Sequence, residues 1–450
     1  MNVDPSIFKA YDIRGIYPTT INEDIAYKIG QAYVAIVKPR KEVLVGHDVR
    51  LHSEALKKKV IEGITDAGID VLDAGLMSTD MLYFAVGNYK TDGGIQVTAS
   101  HNPPEWHGAK MVRPDVIPIN LESGIGEIRD YIQSGQVVTA NKKGMIRTLS
   151  PIDDYCRYIL SWVNPQQIKP IKVVINPNFG FAGKIFQRIV ELGKLPINLI
   201  SLNNEPDGNF PKGRPDPFVP ENRVEFLETI RNTQAQLGIT WDADADRVFF
   251  SARGGDFIDP YYLNTILIEH MLKEYPGSNI IYDPRYTWAT LEVIEKNGGH
   301  AIASRVGHSY IKEAMRKNNA VFAGECSGHT YYRDYWFSDC GMIPPMQILE
   351  FLSLSGVDLA KAVEGYRLKY IISGEINSDV QDKEGKMTEI AVKYQDGKQS
   401  KLDGIAIEYS DWRFCVRPSN TEPLLRLTLE AKTKELMEQK RDEVLSLIRS

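Results

Sequence analysis

At 450 residues the chain exceeds what one hydrophobic core usually covers, so several domains are expected. Apolar residues make up 43% and charged residues 25%, ordinary values for a soluble globular protein. The net charge of −6 gives no general affinity for nucleic acid or an anionic membrane, so an anionic ligand must be met by a local cluster of bases.

The N-terminal residues 1–5 carry an early acid and a proline and lack the apolar core of a signal peptide. No stretch approaches the roughly 20 apolar residues a membrane helix needs, and a cytoplasmic protein is expected. The four cysteines (Cys156, Cys326, Cys340, Cys415) are scattered without metal-ligand spacing, which suits free thiols.

The first predicted strand is Val43-Leu44-Val45, running into Gly46-His47-Asp48. Leu56, Val60, Ile61 and Ile64 then recur at helical spacing after a Ser53 cap, and Gly68 stops that helix before the strand Ile69-Asp70-Val71-Leu72. A later strand, Ile95-Gln96-Val97, leads into Thr98-Ala99-Ser100-His101-Asn102-Pro103. A serine there could cap a helix or fill a turn. It could also carry a phosphoryl group, given a cation to stabilise its oxygens. The G-x-S-x-G elbow of esterases is absent.

The pattern recurs with Val173-Val174-Ile175, an amphipathic run through Ile185, Phe186, Ile189 and Val190, and the strand Ile197-Asn198-Leu199-Ile200. Gly180-Phe181-Ala182-Gly183-Lys184 has short P-loop-like spacing, but Ile185 stands where Ser or Thr should bind Mg²⁺, so that reading fails. Ile239-Thr240-Trp241 then enters Asp242-Ala243-Asp244-Ala245-Asp246-Arg247. Alternate aspartates on a turn suit a hard cation such as Mg²⁺. An EF-hand is excluded because Arg247 and Arg253 occupy the positions needing glycine and glutamate. A solvated acidic turn stays open at this point.

A third unit begins at Ile280-Ile281-Tyr282, continues through Leu291 and Ile294 to Ala301-Ile302-Ala303, and reaches Val321-Phe322-Ala323. The loop 324–329 follows, with Glu325 and Ser327 between glycines and His329 just after them, a mixture suited to sugar hydroxyls or to an ordinary turn. Beyond about residue 365, alternating segments such as Ile405-Ala406-Ile407-Glu408 predict antiparallel strands, and residues 435–448 a covering helix. One polar loop there, 417–423, offers Arg417, Ser419, Asn420 and Thr421 as phosphate donors, or as a structural turn.

Strand, crossover helix, strand is the parallel α/β unit, and each chemistry-bearing loop follows a strand's carboxyl end, where ligands bind such sheets. The expected architecture is three tandem α/β domains of similar topology plus a smaller C-terminal α+β domain around a central cleft. The expected bounds are 1–149, 150–253, 254–364 and 365–450.

Four loops in one order, 98–103, 242–247, 324–329 and 417–423, resemble the phosphoserine, metal, sugar-recognition and phosphate loops of the α-D-phosphohexomutases. The chain is most similar to their phosphomannomutase/phosphoglucomutase branch, with lesser matches at Tyr11-Asp12-Ile13-Arg14 and Gly307-His308-Ser309. Ala243 and Ala245 replace commoner glycines, Cys326 a methionine and Arg285 a lysine, and the last two leave mannose against glucose preference open.

The resemblance implies reversible 1,6-phosphoryl transfer on a hexose phosphate through phospho-Ser100 and a hexose 1,6-bisphosphate. It implies Mg²⁺ on Asp242, Asp244, Asp246 and Ser100. Lys110 and His329 come first as proton-transfer groups, with His101 beside them. Tyr11, Arg14, Arg247, Arg285, His308, Glu325, Ser327, Arg417, Ser419, Asn420 and Thr421 are the expected substrate contacts. Small sugar phosphates are the expected partners, in a monomer or dimer. A phosphoglucosamine mutase, a Mg²⁺-dependent sugar phosphatase and a non-catalytic sugar-phosphate sensor are the alternatives.

Overall fold

The computed structural model describes residues 3–419 and 424–450, which form two compact units. Unit 1 comprises residues 1–257 and 328–359; unit 2 comprises 258–327 and 360–450.

Unit 1 contains two α/β sheets. The first has six strands in the order Ile13–Ile16, Trp106–Val112, Gly94–Val97, Glu42–His47, Asp70–Leu76, Ile146–Thr148. Glu42–His47 pairs in parallel with both Gly94–Val97 and Asp70–Leu76, as the strand–helix–strand pattern requires. Val43, Leu44 and Val45 are wholly buried, so helices cover both faces and the strand has no polar alternation. The intervening helix is Ser53–Asp66, packed through Leu56, Val60 and Ile64.

Ser53 is not its cap. His52 stands at the N-cap without a side-chain bond, and the Ser53 hydroxyl donates instead to Asp48 Oδ1 at 2.6 Å. Asp48 is buried and needs donors more than the helix end needs a cap.

In the second sheet, Val248–Ala252, Leu237–Trp241, Ile171–Asn176 and Ile197–Ser201 lie side by side in that order. Ile171–Asn176 is parallel to both its neighbours, while Val248–Ala252 returns antiparallel to Leu237–Trp241. Two of the predicted loops therefore join antiparallel strands rather than a strand to a helix. Residues 98–105 link Gly94–Val97 to Trp106–Val112, and 242–247 link Leu237–Trp241 to Val248–Ala252. The short strands Thr330–Tyr332 and Ser338–Asp339 and the helix Ile343–Ser355 complete unit 1.

Unit 2 carries the third parallel set: Asn279–Tyr282 pairs with His300–Ala303 and with Phe322–Gly324. Its second part is an antiparallel sheet of Ile371–Ile372, Leu424–Ala431, Trp412–Pro418, Ile405–Glu408 and Lys398–Ser400, with Ile376–Asp379 also on Leu424–Ala431. Phe414, Val416, Leu427 and Leu429 turn one face of that sheet to Val444 and Ile448 of the helix Lys434–Arg449, which buries an apolar stripe there. No helix of the described residues is long and apolar enough to cross a membrane.

Candidate active site

The loops 98–103 and 242–247 meet inside unit 1. Ser100 is 1% exposed, and its Oγ donates to Asp242 Oδ2 at 3.3 Å and lies 3.1 Å from His101 Nδ1. Its backbone is left-handed, φ 51°, and its N–H donates to Thr98 Oγ1 at 2.9 Å.

Asp242, Asp244 and Asp246 are equally buried, and each offers an oxygen within 4.8 Å of the others. Ala245 is left-handed (φ 63°), which turns the strand end tightly enough to gather alternate carboxylates. Two glycines make room for this backbone. A Cβ on Gly180 would sit 2.5 Å from the Ala243 oxygen, and one on Gly341 2.1 Å from the Ala245 oxygen. Gly180 of the rejected P-loop pattern thus has a steric role.

The donor set fits a hard cation. Asp244 Oδ2 is saturated, taking Thr79 Oγ1 at 2.6 Å, Lys110 Nζ at 2.8 Å and Thr98 Oγ1 at 3.3 Å. Its other oxygen, Oδ1, is buried and accepts no hydrogen bond among the described residues. Leaving a buried carboxylate oxygen unmade is costly unless a ligand meets it. Asp246 Oδ2 takes Lys110, and its Oδ1 lies 3.4 Å from His329 Nε2.

Charge in this cluster is divided unevenly. Burial, then the neighbouring Asp246 and Asp244 charges, push the Asp242 carboxyl well above the usual range. Burial also works against a charge on Asp246, but Lys110, His329 and Arg247 more than reverse it and hold it well below. The Lys110 ammonium is likewise disfavoured by burial and rescued by Asp244 and Asp246, which keep its proton on. Burial, then Arg247, Arg14 and Arg214, hold His101 well below its usual value and therefore neutral.

Arg247 is a clamp on the same loop: its N–H donates to Asp242 Oδ1 at 3.3 Å, and its Nε lies 3.7 Å from Asp242 Oδ2 and 3.4 Å from His329 Nε2. Arg14 pairs with Asp12 at 2.7 Å and donates to Asn102 Oδ1 at 2.5 Å. Tyr11 lies half-buried three residues before it.

Three residues here, Thr79, Arg50 and Asp80, escaped the sequence reading, and Thr98 entered it only as the start of the serine loop. Thr79 and Thr98 carry Asp244; Arg50 binds carbonyls of the serine loop; Asp80 joins the Thr79 turn to Gly341 and Tyr155. Only Arg50 left a signal, a charge two residues after Asp48 at the end of a buried strand.

The other predicted residues lie in unit 2. Glu325 is 2% exposed and accepts from the N–H of Gly307, next to His308 at the first turn of the helix His308–Asn318. Asp283 organises the same region, gripping Arg285 Nη2 at 2.5 Å and accepting from the Cys326 N–H at 3.0 Å. Arg285 is further held by Glu375 at 3.3 Å. Ser327 is half-buried. Arg417 is anchored through Nε to Asp403 at 2.5 Å, and Ser419 is buried with its carbonyl on Lys383. Asn420 and Thr421 lie outside the described residues.

Four family models match the chain: the Phosphoglucomutase/phosphomannomutase alpha/beta/alpha domains I, II and III over residues 5–137, 153–255 and 259–369, and the C-terminal domain over 375–447. A phosphomannomutase of Vibrio cholerae serotype O1 is 41% identical over 454 residues, spanning 98% of each chain. The phosphohexose mutases of Xanthomonas campestris pv. campestris are 40% identical over 445 residues, 98% of this chain and 99% of theirs. A crystal structure of a phosphoglucomutase/phosphomannomutase family protein from Burkholderia thailandensis superposes with TM-score 0.90 at 30% identity, covering 99% of this chain and 97% of that one.

Four α/β and α+β domains of this kind define a hexose-phosphate mutase, an isomerase. The chain belongs to the phosphoglucomutase/phosphomannomutase family.

Proposed function

We propose that the enzyme interconverts the 1- and 6-phosphates of mannose and glucose through a phosphoryl group carried on Ser100. The observation that carries this reading is the approach of Ser100 Oγ to Asp242 Oδ2 at 3.3 Å, beside an Asp244 oxygen with no hydrogen bond among the described residues. A seryl hydroxyl set against three carboxylates suits phosphoryl transfer better than acyl transfer. Asp242, Asp244, Asp246 and an oxygen of Ser100 would hold Mg²⁺, which when bound withdraws charge from the phosphoryl oxygens.

The remaining roles belong to this chain's own groups. Arg14 and Arg247 offset the anionic charge around Ser100. In the forward half-reaction the P–O bond to Ser100 breaks, a P–O bond to the sugar hydroxyl forms, and the hydroxyl proton must leave. His329 can take such a proton, while His101, held neutral, shares a hydrogen bond with Ser100 Oγ at 3.1 Å. Lys110, held cationic between two aspartates, supplies charge balance in the metal-free state. The hexose 1,6-bisphosphate then turns end for end and returns its other phosphate to Ser100.

Arg417, Ser419, Asn420 and Thr421 hold the phosphate not being transferred. Anchoring Arg417 through Nε leaves its two terminal nitrogens as a fork for that dianion. Glu325, Ser327 and His308 take sugar hydroxyls, with Arg285 and Tyr11 near the phosphosugar. The four-domain division at 149/150, 253/254 and 364/365 is part of this reading and is supported by the ranges of the four family models. So is a cytoplasmic location, in keeping with the free thiols of Cys156, Cys326, Cys340 and Cys415.

The test is Ser100→Ala in a coupled assay with mannose 1-phosphate, glucose 1-phosphate and glucosamine 1-phosphate. The wild type should turn over the first two faster than the third and carry one phosphoryl on Ser100 by intact mass. The variant should lose isomerisation while still binding the sugar phosphate. Substantial mutase activity in the purified variant would show that another group carries the phosphate.

A further inference from the structure

We infer that Arg50 is a positioning residue for Ser100, holding the seryl oxygen in place through the backbone of its own loop; this rests on the reading of Ser100 as the phosphoryl carrier. Ser100 stands at φ 51°, a left-handed conformation that is unfavourable for a non-glycine residue and persists only where the surroundings over-determine it. Glycine would relieve the strain but would carry no hydroxyl. The strain must therefore be borne by something next to the loop.

Arg50 is that neighbour. Its Nη2 donates to the carbonyls of Ser100 and Asn102, both at 2.6 Å. Its Nη1 donates to Pro103 at 2.6 Å and Trp106 at 3.0 Å. One guanidinium thus gathers three carbonyls of the connection after Gly94–Val97 and a fourth at the start of Trp106–Val112. Its Nε faces Asp48 Oδ2 at 3.2 Å, the side chain has no exposed surface, and the Phe210 ring lies 5.0 Å from Cζ.

All four terminal N–H groups are spent on backbone oxygens, so Arg50 has none left for a phosphate. Its influence on transfer runs through where Ser100 Oγ sits. A planar fork can do this and an ammonium cannot, because lysine brings three donors to a single point. The Thr98 hydroxyl, accepting from the Ser100 N–H at 2.9 Å, fixes the other side of the turn.

The experiment uses the full chain with Arg50→Lys and Arg50→Ala. Phosphoserine occupancy is read by intact mass, and single-turnover transfer to glucose 1-phosphate is expressed per phosphorylated site, with KM and thermal midpoint alongside. A displaced seryl oxygen should lower the rate per phosphorylated site about a hundredfold in Arg50→Lys with KM little changed. Added guanidinium, but not methylammonium, should restore part of that rate in Arg50→Ala.

A purely structural Arg50 would lower the thermal midpoint or the folded fraction and leave the rate per phosphorylated site unchanged. That result, or lack of guanidinium rescue beside a normal Arg50→Lys rate, overturns the inference. Mutase activity in Ser100→Ala would instead sink the underlying reading, so the two failures are told apart.

Discussion

Asp80 is a fully buried acid that serves the aspartate loop without belonging to it. Its Oδ2 accepts from the Tyr155 hydroxyl at 2.6 Å and the Gly341 N–H at 3.2 Å, and its Oδ1 from the Met81 N–H at 2.9 Å. Burial pushes its carboxyl up to about 7, against the pull of the Ser78, Tyr155 and Gly341 donors. Its folded value thus lies above the unfolded one. Between roughly pH 4 and 7 the folded chain keeps a proton that the unfolded chain has released, so this group's contribution to stability falls as pH rises, then levels off. Asp80→Asn cannot ionise. The thermal midpoint of wild type minus that of the variant should therefore decline from pH 4 to 7 and stay flat above. A difference constant across that window would mean that Asp80 is ionised throughout.

At the scale of elements, the aspartate loop owes its precision to strand register. Val248 pairs with Trp241, so loop 242–247 is a closed turn whose ends cannot slide, and the Trp241 indole donates to the Gly341 carbonyl at 2.8 Å from the side. Thr79 clips the same loop twice, through its hydroxyl to Asp244 Oδ2 and its N–H to the Asp244 carbonyl at 2.8 Å. Gly341→Ala is the sharpest probe of this packing. Its new methyl would start 2.1 Å from the Ala245 oxygen, backbone that cannot give without moving the aspartates. Overpacking of this kind costs about 1–3 kcal/mol. Mutase activity and Mg²⁺ dependence should both weaken by tenfold or more, on the order of the 1 Å misplacement penalty. Unchanged Mg²⁺ titration by activity would show that the loop tolerates the shift.

For the whole molecule, the candidate cation ligands all lie in unit 1, while Arg285, Glu325 and Arg417 lie in unit 2. A dication bound only by the folded state stabilises the part that binds it, by about 2.7 kcal/mol at a hundredfold excess over Kd. Adding Mg²⁺ to chelator-treated protein, with no substrate present, should raise hydrogen-exchange protection in loops 98–103 and 242–247. Around Arg285 and Arg417 protection should stay as it was. Asp242→Asn should abolish the effect. Equal protection in both units, or none in either, would place the cation elsewhere.

The chain alone determined the α/β alternation and pointed to Ser100, Asp242, Asp244 and Asp246 as candidates, which the structure brings together. Those are local properties: buried parallel strands read as unbroken apolar runs, and a carboxylate at every second position of a turn has few other uses. Only the tertiary structure decided which oxygen of Asp244 is left over, that Lys110 spans two aspartates, and that Ser53 serves Asp48 rather than its helix. It alone brought in Arg50, Thr79 and Asp80, which lie 50, 165 and 261 positions from partners they hold. Such contacts form because buried polar groups must find donors wherever the packed fold supplies them, and no spacing along the chain encodes that choice.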